Sequence, residues 1–386
     1  MFFKMTDYCY FCFFITVYFK TMSKNKMPEW APENAGSEFA SSVMPAVGSK
    51  HIRNKTIHKR KIFTVDDYVS GVLESNIVML SKTITLIESN NSRHISLAQD
   101  VLKVLLPRTG KSIRIGITGP PGAGKSTFIE SLGVFLCRNN FKVAVLAVDP
   151  SSTISGGSIL GDKTRMENLS HESNAYIRPS PSGGTLGGVA RKTRETILAC
   201  EAAGYDVILI ETIGVGQSEV TVRSMVDFFL LLLLPGSGDE LQGIKKGVVE
   251  LADLIVINKA EGNYKDRANM TKASYNSALR ILSYATEGWI PKAMTCSALH
   301  NEGIDDIWTV INEFMVNTKS SGFFDKRRNE QLINWVNSMV EEEVYRRFLN
   351  NPDIIEMKST LESQVLSGET TPTQAVNLLL TNYFGE

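Results

Sequence analysis

The chain has no surplus of charge of either sign: Lys plus Arg and Asp plus Glu both number 41. A protein that gripped nucleic acid chiefly through its phosphates would carry a basic excess, so that class is disfavoured. Cysteine is scarce, with five residues in 386. That is too few for a disulfide scaffold in a chain of this length, and it points to an intracellular, reducing compartment. Cys137, Cys200 and Cys296 sit in apolar stretches and read as small buried hydrophobes. Cys9 and Cys12 form a C-x-x-C, but no second pair completes the four ligands of a zinc site. Histidine is never clustered, since His51, His58, His94, His171 and His300 each stand singly. Long apolar runs are missing too. Tyr8 to Phe19 is uncharged for only twelve residues, short of the roughly 20 that a spanning helix needs, so no membrane association is expected. There is no internal repeat and no low-complexity tract.

What is present is enough to bury a sizeable core: 43% of residues are hydrophobic and 21% charged, which excludes wholesale disorder. Residues 1–62 differ from the rest. They hold ten Lys/Arg against four Asp/Glu, with Pro28, Pro32 and Pro45, and read as an unstructured leader or targeting segment. A mitochondrial presequence would be Arg-rich and acid-poor, whereas this segment favours Lys and includes Glu29, Glu33 and Glu38, so the match is partial. From 63 to 110 the pattern is helical. Thr64 is a candidate N-cap, and an apolar stripe through Leu80, Ile84 and Ile87 breaks at Asn90-Asn91-Ser92 before resuming.

Between 111 and 318 short apolar runs alternate with helical patterns. The strand candidates are Ile113–Thr118, Val143–Val148, Tyr176–Arg178, Val207–Thr212, Phe228–Leu234, Leu254–Ile257 and Ala293–Cys296. Their apolar character is continuous rather than alternating, as a parallel sheet covered on both faces demands. The fold class expected is α/β, a doubly wound, mostly parallel sheet. Residues 319–386 give no strand signal. They show stripes from Leu332 to Phe348 and from Ile354 to Leu366, then Thr371-Pro372 as cap and first residue of a third helix. These stripes exceed what a lone surface hairpin buries, so a partner subunit is expected.

The strand Ile113–Thr118 runs into Gly119-Pro120-Pro121-Gly122-Ala123-Gly124-Lys125-Ser126-Thr127, and a helix follows. This is G-x-x-x-x-G-K-[ST] in the strand–loop–helix setting that a phosphate-binding loop requires. Glycines let backbone N–H groups converge on phosphates at a helix N-terminus. Lys125 can reach the β- and γ-phosphates, and the Ser126 hydroxyl can ligate Mg²⁺.

The strand Leu254–Ile257 ends in Asn258-Lys259-Ala260-Glu261. N-K-x-D in that place reads guanine, because its carboxylate accepts from the N1–H and the exocyclic amino group, which adenine does not offer. Here the acid is Glu, one methylene longer. Some forty residues on, Ser297-Ala298-Leu299 forms an S-A-L loop whose backbone N–H can meet guanine O6. Together the two motifs favour GTP and GDP over ATP. Val207–Ile210 leads to Glu211 and, beyond it, Gly214, where such proteins keep a Mg²⁺-water ligand and a γ-phosphate contact. Val143–Val148 ends in Asp149, with Asp162 in the glycine-rich loop that follows; carboxyl ends of parallel strands are where ligands sit.

In order, GPPGAGKST, AVDPSS with the following GD, RPSPSGGTLGGV, ETIGVGQSE, PGSGDELQGIKKG and NKAEGN resemble the MeaB/ArgK-type GTPases from about Phe63 to the C-terminus. The resemblance implies a fold of the metallochaperone branch of P-loop GTPases and a homodimer formed through the C-terminal helices. It implies a chaperone of adenosylcobalamin-dependent methylmalonyl-CoA mutase that gates cofactor loading and protects the mutase, in the mitochondrial matrix or otherwise the cytoplasm. It assigns Ser126, Asp149, Asp162 and Glu211 to Mg²⁺, directly or through water. Gly156–Asp162 becomes a first switch, Gly214–Glu219 a second, and Asp239–Lys246 a mobile loop that answers to the mutase. Gln217 is a candidate for orienting the attacking water, with a packing role as the alternative. Two rivals are a nickel-type metallochaperone GTPase, which needs the clustered His or Cys ligands missing here, and an ATP-dependent small-molecule kinase, against which N-K-x-E and S-A-L argue.

Overall fold

Seven strands form one sheet in the order β3-β2-β4-β1-β5-β6-β7, and every pairing is parallel. They are β1 (Ile113–Thr118), β2 (Val143–Val148), β3 (Ala175–Arg178), β4 (Val207–Thr212), β5 (Phe228–Leu233), β6 (Leu254–Ile257) and β7 (Lys292–Thr295). All seven lie where the continuous apolar runs predict strands, with shifts of one residue at the ends of β3, β5 and β7. The computed structural model describes residues 63–148, 166–179, 186–212, 218–236, 246–282 and 284–385.

The continuous runs have a simple cause. Along β5, Phe229, Leu231 and Leu233 face one core, while Phe228, Leu230 and Leu232 face the other. Each strand is therefore apolar on both sides, and helices cover both faces. One face is packed by three N-terminal helices, α1 (Val65–Leu73), α2 (Ile77–Glu88) and α3 (Ser92–Leu105), and by the later helix Leu186–Ala202. The other is packed by α4 (Lys125–Arg138) and the helix Ile304–Ser320. Local sequence sets the starts of the first helices. Thr64 and Asp67 make a reciprocal capping box, and Asn76 caps α2. Asn91 accepts from the Arg93 N–H, so the break read at Asn90–Ser92 is the cap of α3.

With the short helix Glu167–Ser170 as α5, Leu186–Ala202 is α6; α7 (Ser218–Arg223), α8 (Lys246–Leu251), α9 (Lys265–Leu279) and α10 (Ile304–Ser320) complete the helices around the sheet. The last three helices are α11 (Phe323–Leu349), α12 (Pro352–Ser367) and α13 (Pro372–Phe384). Thr371 caps α13 with Pro372 at its first position, as the sequence indicates.

The start of α11 is bolted to the amino ends of β5 and β6 by buried charge. Asp227 and Asp253 immediately precede those strands and are each 1% exposed. Arg328 holds Asp227 with two bonds, Nε to Oδ1 at 2.8 Å and Nη2 to Oδ2 at 2.7 Å, and also donates to the Gly110 and Ser112 carbonyls. Burial works against the Arg328 charge, but hydrogen bonding and the charge of Asp227 outweigh it and raise its pKa. Arg223 and Thr286 bind Asp253 Oδ1 at 3.3 and 2.5 Å. Arg327 bridges both ends, donating to the Asp227 carbonyl and to Thr286.

Removing one member of such a pair strands the other charge in the interior. Arg328→Met is expected to cost about 3–5 kcal/mol, read as a lower urea midpoint at unchanged slope. The double change Arg328→Met with Asp227→Asn should cost clearly less than the sum of the two single changes.

Candidate nucleotide site

The sheet order decides which loops meet. β1 is central, β4 flanks it on one side, and β5, β6 and β7 follow on the other. The loops after β1, β4, β6 and β7 therefore open on one carboxyl edge, the place where parallel sheets collect ligands.

The loop after β1 turns on glycines. Gly122 and Gly124 hold φ of +81° and +85°, in the left-handed region that favours glycine. Gly124 also has no room for a side chain: a Cβ there would stand 2.7 Å from Asn258 Nδ2. At Gly119 a Cβ would meet the Leu232 carbonyl oxygen of β5 at 2.1 Å. Helix α4 starts at Lys125 with Gly124 as its N-cap and no side chain capping it. Its first amides are thus left for an anion, with the positive end of the helix dipole behind them. Lys125 Nζ lies over the loop and donates to the Gly119 carbonyl at 2.7 Å and the Pro120 carbonyl at 3.3 Å. Burial lowers its pKa, opposed by the charges of Glu211 and Glu219.

Glu211, at the end of β4, and Ser126, in the first turn of α4, come together. The Ser126 hydroxyl donates to Glu211 Oε1 at 3.1 Å, and Glu211 is 7% exposed. Beside them the Thr212 and Thr118 hydroxyls bond at 2.9 Å, which ties the ends of β4 and β1. A hydroxyl and a carboxylate at this separation are hard oxygen donors, a set that fits Mg²⁺, which keeps most of its shell for water and phosphate. Asp149, Asp162, Gly214 and Gln217, and residues 239–245 of the Asp239–Lys246 loop, lie outside the described residues. Among the described residues no group of three or more His, Cys, Asp and Glu side chains converges on a point.

On the other flank Asn258 is the hub. It is 2% exposed, and its Nδ2 donates to the Ala123 carbonyl at 2.9 Å. Its Oδ1 accepts from the Ala298 N–H at 3.0 Å and from the Cys296 thiol at 3.4 Å. One side chain thereby joins the phosphate loop, the N-K-x-E loop and the S-A-L loop. The Ala260 N–H donates to the Cys296 carbonyl at 3.0 Å, a second tie between the last two. Ser297 is buried, with a two-way backbone bridge to Glu302, while Leu299 is exposed. Lys259 stands at φ +60°, and its stem passes close to Gly124, placed to cover a ring.

Glu261 is half-buried and precedes the short turn Gly262–Tyr264 without capping it. Its Oε2 is buried and has no hydrogen-bond partner. A buried carboxylate oxygen with no donor is costly unless a ligand supplies one, and guanine offers two adjacent donors.

Two contributors have no individual role that the sequence reveals. Ser131, on α4 beyond the motif, donates to the Ala298 carbonyl at 2.5 Å and fixes the S-A-L loop to the phosphate-loop helix. Glu219 is 2% exposed and acts on the Lys125 charge from α7. Both act through space across elements distant in the chain; Ser131 belongs to no motif, and Glu219 closes the ETIGVGQSE stretch without a role that its spacing reveals.

The family model for "Methylmalonyl Co-A mutase-associated GTPase MeaB" matches residues 80–353. The GTPase ArgK of Escherichia coli K12 is 45% identical over 325 residues, covering 83% of this chain and 98% of that protein. A mouse protein named methylmalonic aciduria type A homolog, mitochondrial, is 47% identical over 326 residues, covering 82% of this chain and 79% of its own. Among solved structures, an LAO/AO transport system kinase superposes with a TM-score of 0.70 at 36% identity, over 84% of this chain and all of that one.

Guanine preference is expected to reside in Glu261 and its scaffold in Asn258. By calorimetry GDP should bind at least about tenfold more tightly than ADP, near 1.4 kcal/mol or more. Glu261→Ala should erase that gap by weakening GDP alone. Asn258→Ala should weaken both nucleotides, because it also releases the phosphate loop.

Proposed function

The chain belongs to the MeaB family of GTPases, and on that premise we propose that it is a Mg²⁺-dependent chaperone of adenosylcobalamin-dependent methylmalonyl-CoA mutase. In this reading GTP binding and hydrolysis gate loading of the cobalamin cofactor and protect the mutase. The name of the matching family supports the partner, and relatives named as mitochondrial support a mitochondrial matrix location. The observation that carries the mechanism is the Ser126–Glu211 pair beside Lys125.

In the proposed reaction the α4 amides and Lys125 hold and neutralise the β- and γ-phosphates. Releasing the lysine from the Gly119 and Pro120 carbonyls frees its ammonium for that task. Ser126, Asp149, Asp162 and Glu211 would hold Mg²⁺, directly or through water; when bound it would neutralise charge on the phosphate oxygens. Gly214 would meet the γ-phosphate, and Gln217 would orient the attacking water. Asn258, Lys259 and Glu261 would fix the base, with the S-A-L loop closing over it.

Of Arg178, Arg191 and Arg194, two are committed elsewhere. Arg178 is paired with Glu88, and Arg194, inside α6, donates to the Gln331 carbonyl and the Ser224 hydroxyl. In this reading no built-in cationic finger meets the γ-phosphate, and intrinsic turnover is slow. Single-turnover GTP hydrolysis should therefore rise on adding a B12-dependent mutase. A mutase that binds yet leaves the rate unchanged would refute the switching role.

The C-terminal helices support a homodimer. Helix α11 buries none of its 27 residues, and Leu332, Val336, Val340 and Val344 form a stripe that is about half exposed. We place the subunit contact on residues 319–386. Light scattering on the full chain should report a dimer, and Val340→Asp with Val344→Asp a monomer that still binds GDP.

A further inference from the structure

Helix α7 reaches from the nucleotide edge to the root of α11 within a few residues. It lies flat on the middle of the sheet. Val222 is fully buried, and a Cβ on Gly116 of β1 would stand 2.9 Å from its Cγ1. Only glycine lets the helix sit this close to the strand that carries the phosphate loop. At one end of α7 the buried Glu219 acts on the Lys125 charge. At the other end α11 takes hold. Gln331 Nε2 donates to the Val226 carbonyl at 2.8 Å. Arg194 ties the two together, with Nη2 on the Ser224 hydroxyl at 2.6 Å and Nη1 on the Gln331 carbonyl at 3.2 Å.

The two charged joints at the amino edge differ in fit. Arg328 of α11 grips Asp227 with two nitrogens, at 2.8 and 2.7 Å. Arg223 of α7 reaches Asp253 with one, at 3.3 Å, and its Nη1 is buried without a partner. An unsatisfied buried donor is costly, and a small shift of α7 that brings Nη1 onto an oxygen recovers that cost. The α11 joint is therefore tight and the α7 joint has slack. Charge supplies the push. Glu211 and Glu219 are the carboxylates whose charge reaches Lys125. A γ-phosphate adds negative charge at the same point, and repulsion among buried like charges is weakly screened. Glu211 is fixed in a strand paired on both sides, so the carboxylate able to yield is Glu219, on a helix of six residues.

We propose that α7 reports the phosphate content of the bound nucleotide to the C-terminal arm. A γ-phosphate on Lys125 displaces Glu219, α7 shifts on β1, and Gln331 carries the shift to the root of α11. Glu219, Arg223 and Gln331 are positioning residues in this scheme, each acting through another group. The inference rests on the nucleotide site proposed above and on no partner protein. Coupling of this kind is reciprocal: a change at the arm that releases α7 alters the preference for triphosphate over diphosphate by the same factor.

The test compares GDP with the non-hydrolysable analogue GMPPNP, both with Mg²⁺, on the full chain. In the parent, amide exchange over the first turns of α11 should be at least about fivefold faster with GMPPNP. Glu219→Gln should bind both nucleotides yet exchange equally with either. Gln331→Ala, at the far edge of the sheet from the nucleotide, should raise the ratio of GMPPNP to GDP affinity about fivefold or more by calorimetry. It does so by freeing α7 to move away from the added charge. Lys326→Ala, earlier on the same helix in an exposed pair with Glu287, should leave the ratio unchanged. Glu219→Gln combined with Gln331→Ala should match the larger single effect instead of summing, since both act through one helix. Equal exchange with the two nucleotides in the parent, or an unchanged ratio in Gln331→Ala, would overturn the coupling and leave the nucleotide site standing. A parent that binds neither nucleotide would overturn the site, and the coupling with it.

Discussion

The hydrogen bonds of Asn258 are the constraint on which the carboxyl edge depends. The loops proposed to bind phosphate and to recognise the base follow strands that are not neighbours, β1 and β6, with β5 between them. Without a tie across that gap, the two loops would drift independently, and a nucleotide would have to pay for ordering both. Asn258 closes the gap with a donor to the Ala123 carbonyl and an acceptor for the Ala298 amide. The amide is nearly inaccessible to water, so its geometry is not softened by competition with solvent. The glycine at 124 belongs to the same device, since any side chain there would displace Asn258 Nδ2.

The amino edge of the sheet is organised by a different force. There Asp227 and Asp253 take backbone amides of β1 and β5, from Arg114 and Phe229, and are neutralised by arginines of α7 and α11. Burial raises the Asp253 pKa while Arg223 pulls it down. The arrangement makes the orientation of α11 at its root a property of the sheet rather than of the helix. Beyond the root, α11 has no buried residue and depends on α12, α13 and whatever covers its stripe. The proposed nucleotide site and the root of α11 thus occupy opposite ends of the same strands. Strands 4 to 6 residues long are the rigid elements between them.

The sheet was readable from sequence because two-sided burial writes a signal that needs no tertiary knowledge. Runs such as Phe228–Leu233 admit few other readings once flanked by helical patterns. Two helix starts were readable for a similar reason, since Thr64 and Thr371 act on amides three residues away, whereas Asn91 read only as a break. The phosphate loop and the N-K-x-E loop were visible as spaced motifs. What joins them was not. Asn258 to Ala123 spans 135 residues and Ser131 to Ala298 spans 167, distances at which sequence carries no geometric information. Arg327 and Arg328 were equally silent, because charged residues near a helix start ordinarily read as solvated surface. Their partners lie 100 and 101 residues away.

Glu stands at 211 and again at 261, where N-K-x-D has Asp, and the fold shows how each longer acid is held. Glu211 is still within β4, in register with Ile117 of β1 and Ala147 of β2. Its Cα is therefore fixed by strands on both sides, and the added methylene extends from the sheet to the Ser126 hydroxyl instead of folding back. Held this way, the longer chain loses little reach to side-chain freedom, because its base cannot move. Glu261 lies four residues beyond the end of β6, and its base is held less directly, through the Ala260 amide on the Cys296 carbonyl. Its carboxylate nevertheless has a buried oxygen and no protein donor. A longer acid on a looser base is useful only if something at the site holds its far end, and a base edge with two adjacent N–H donors does so.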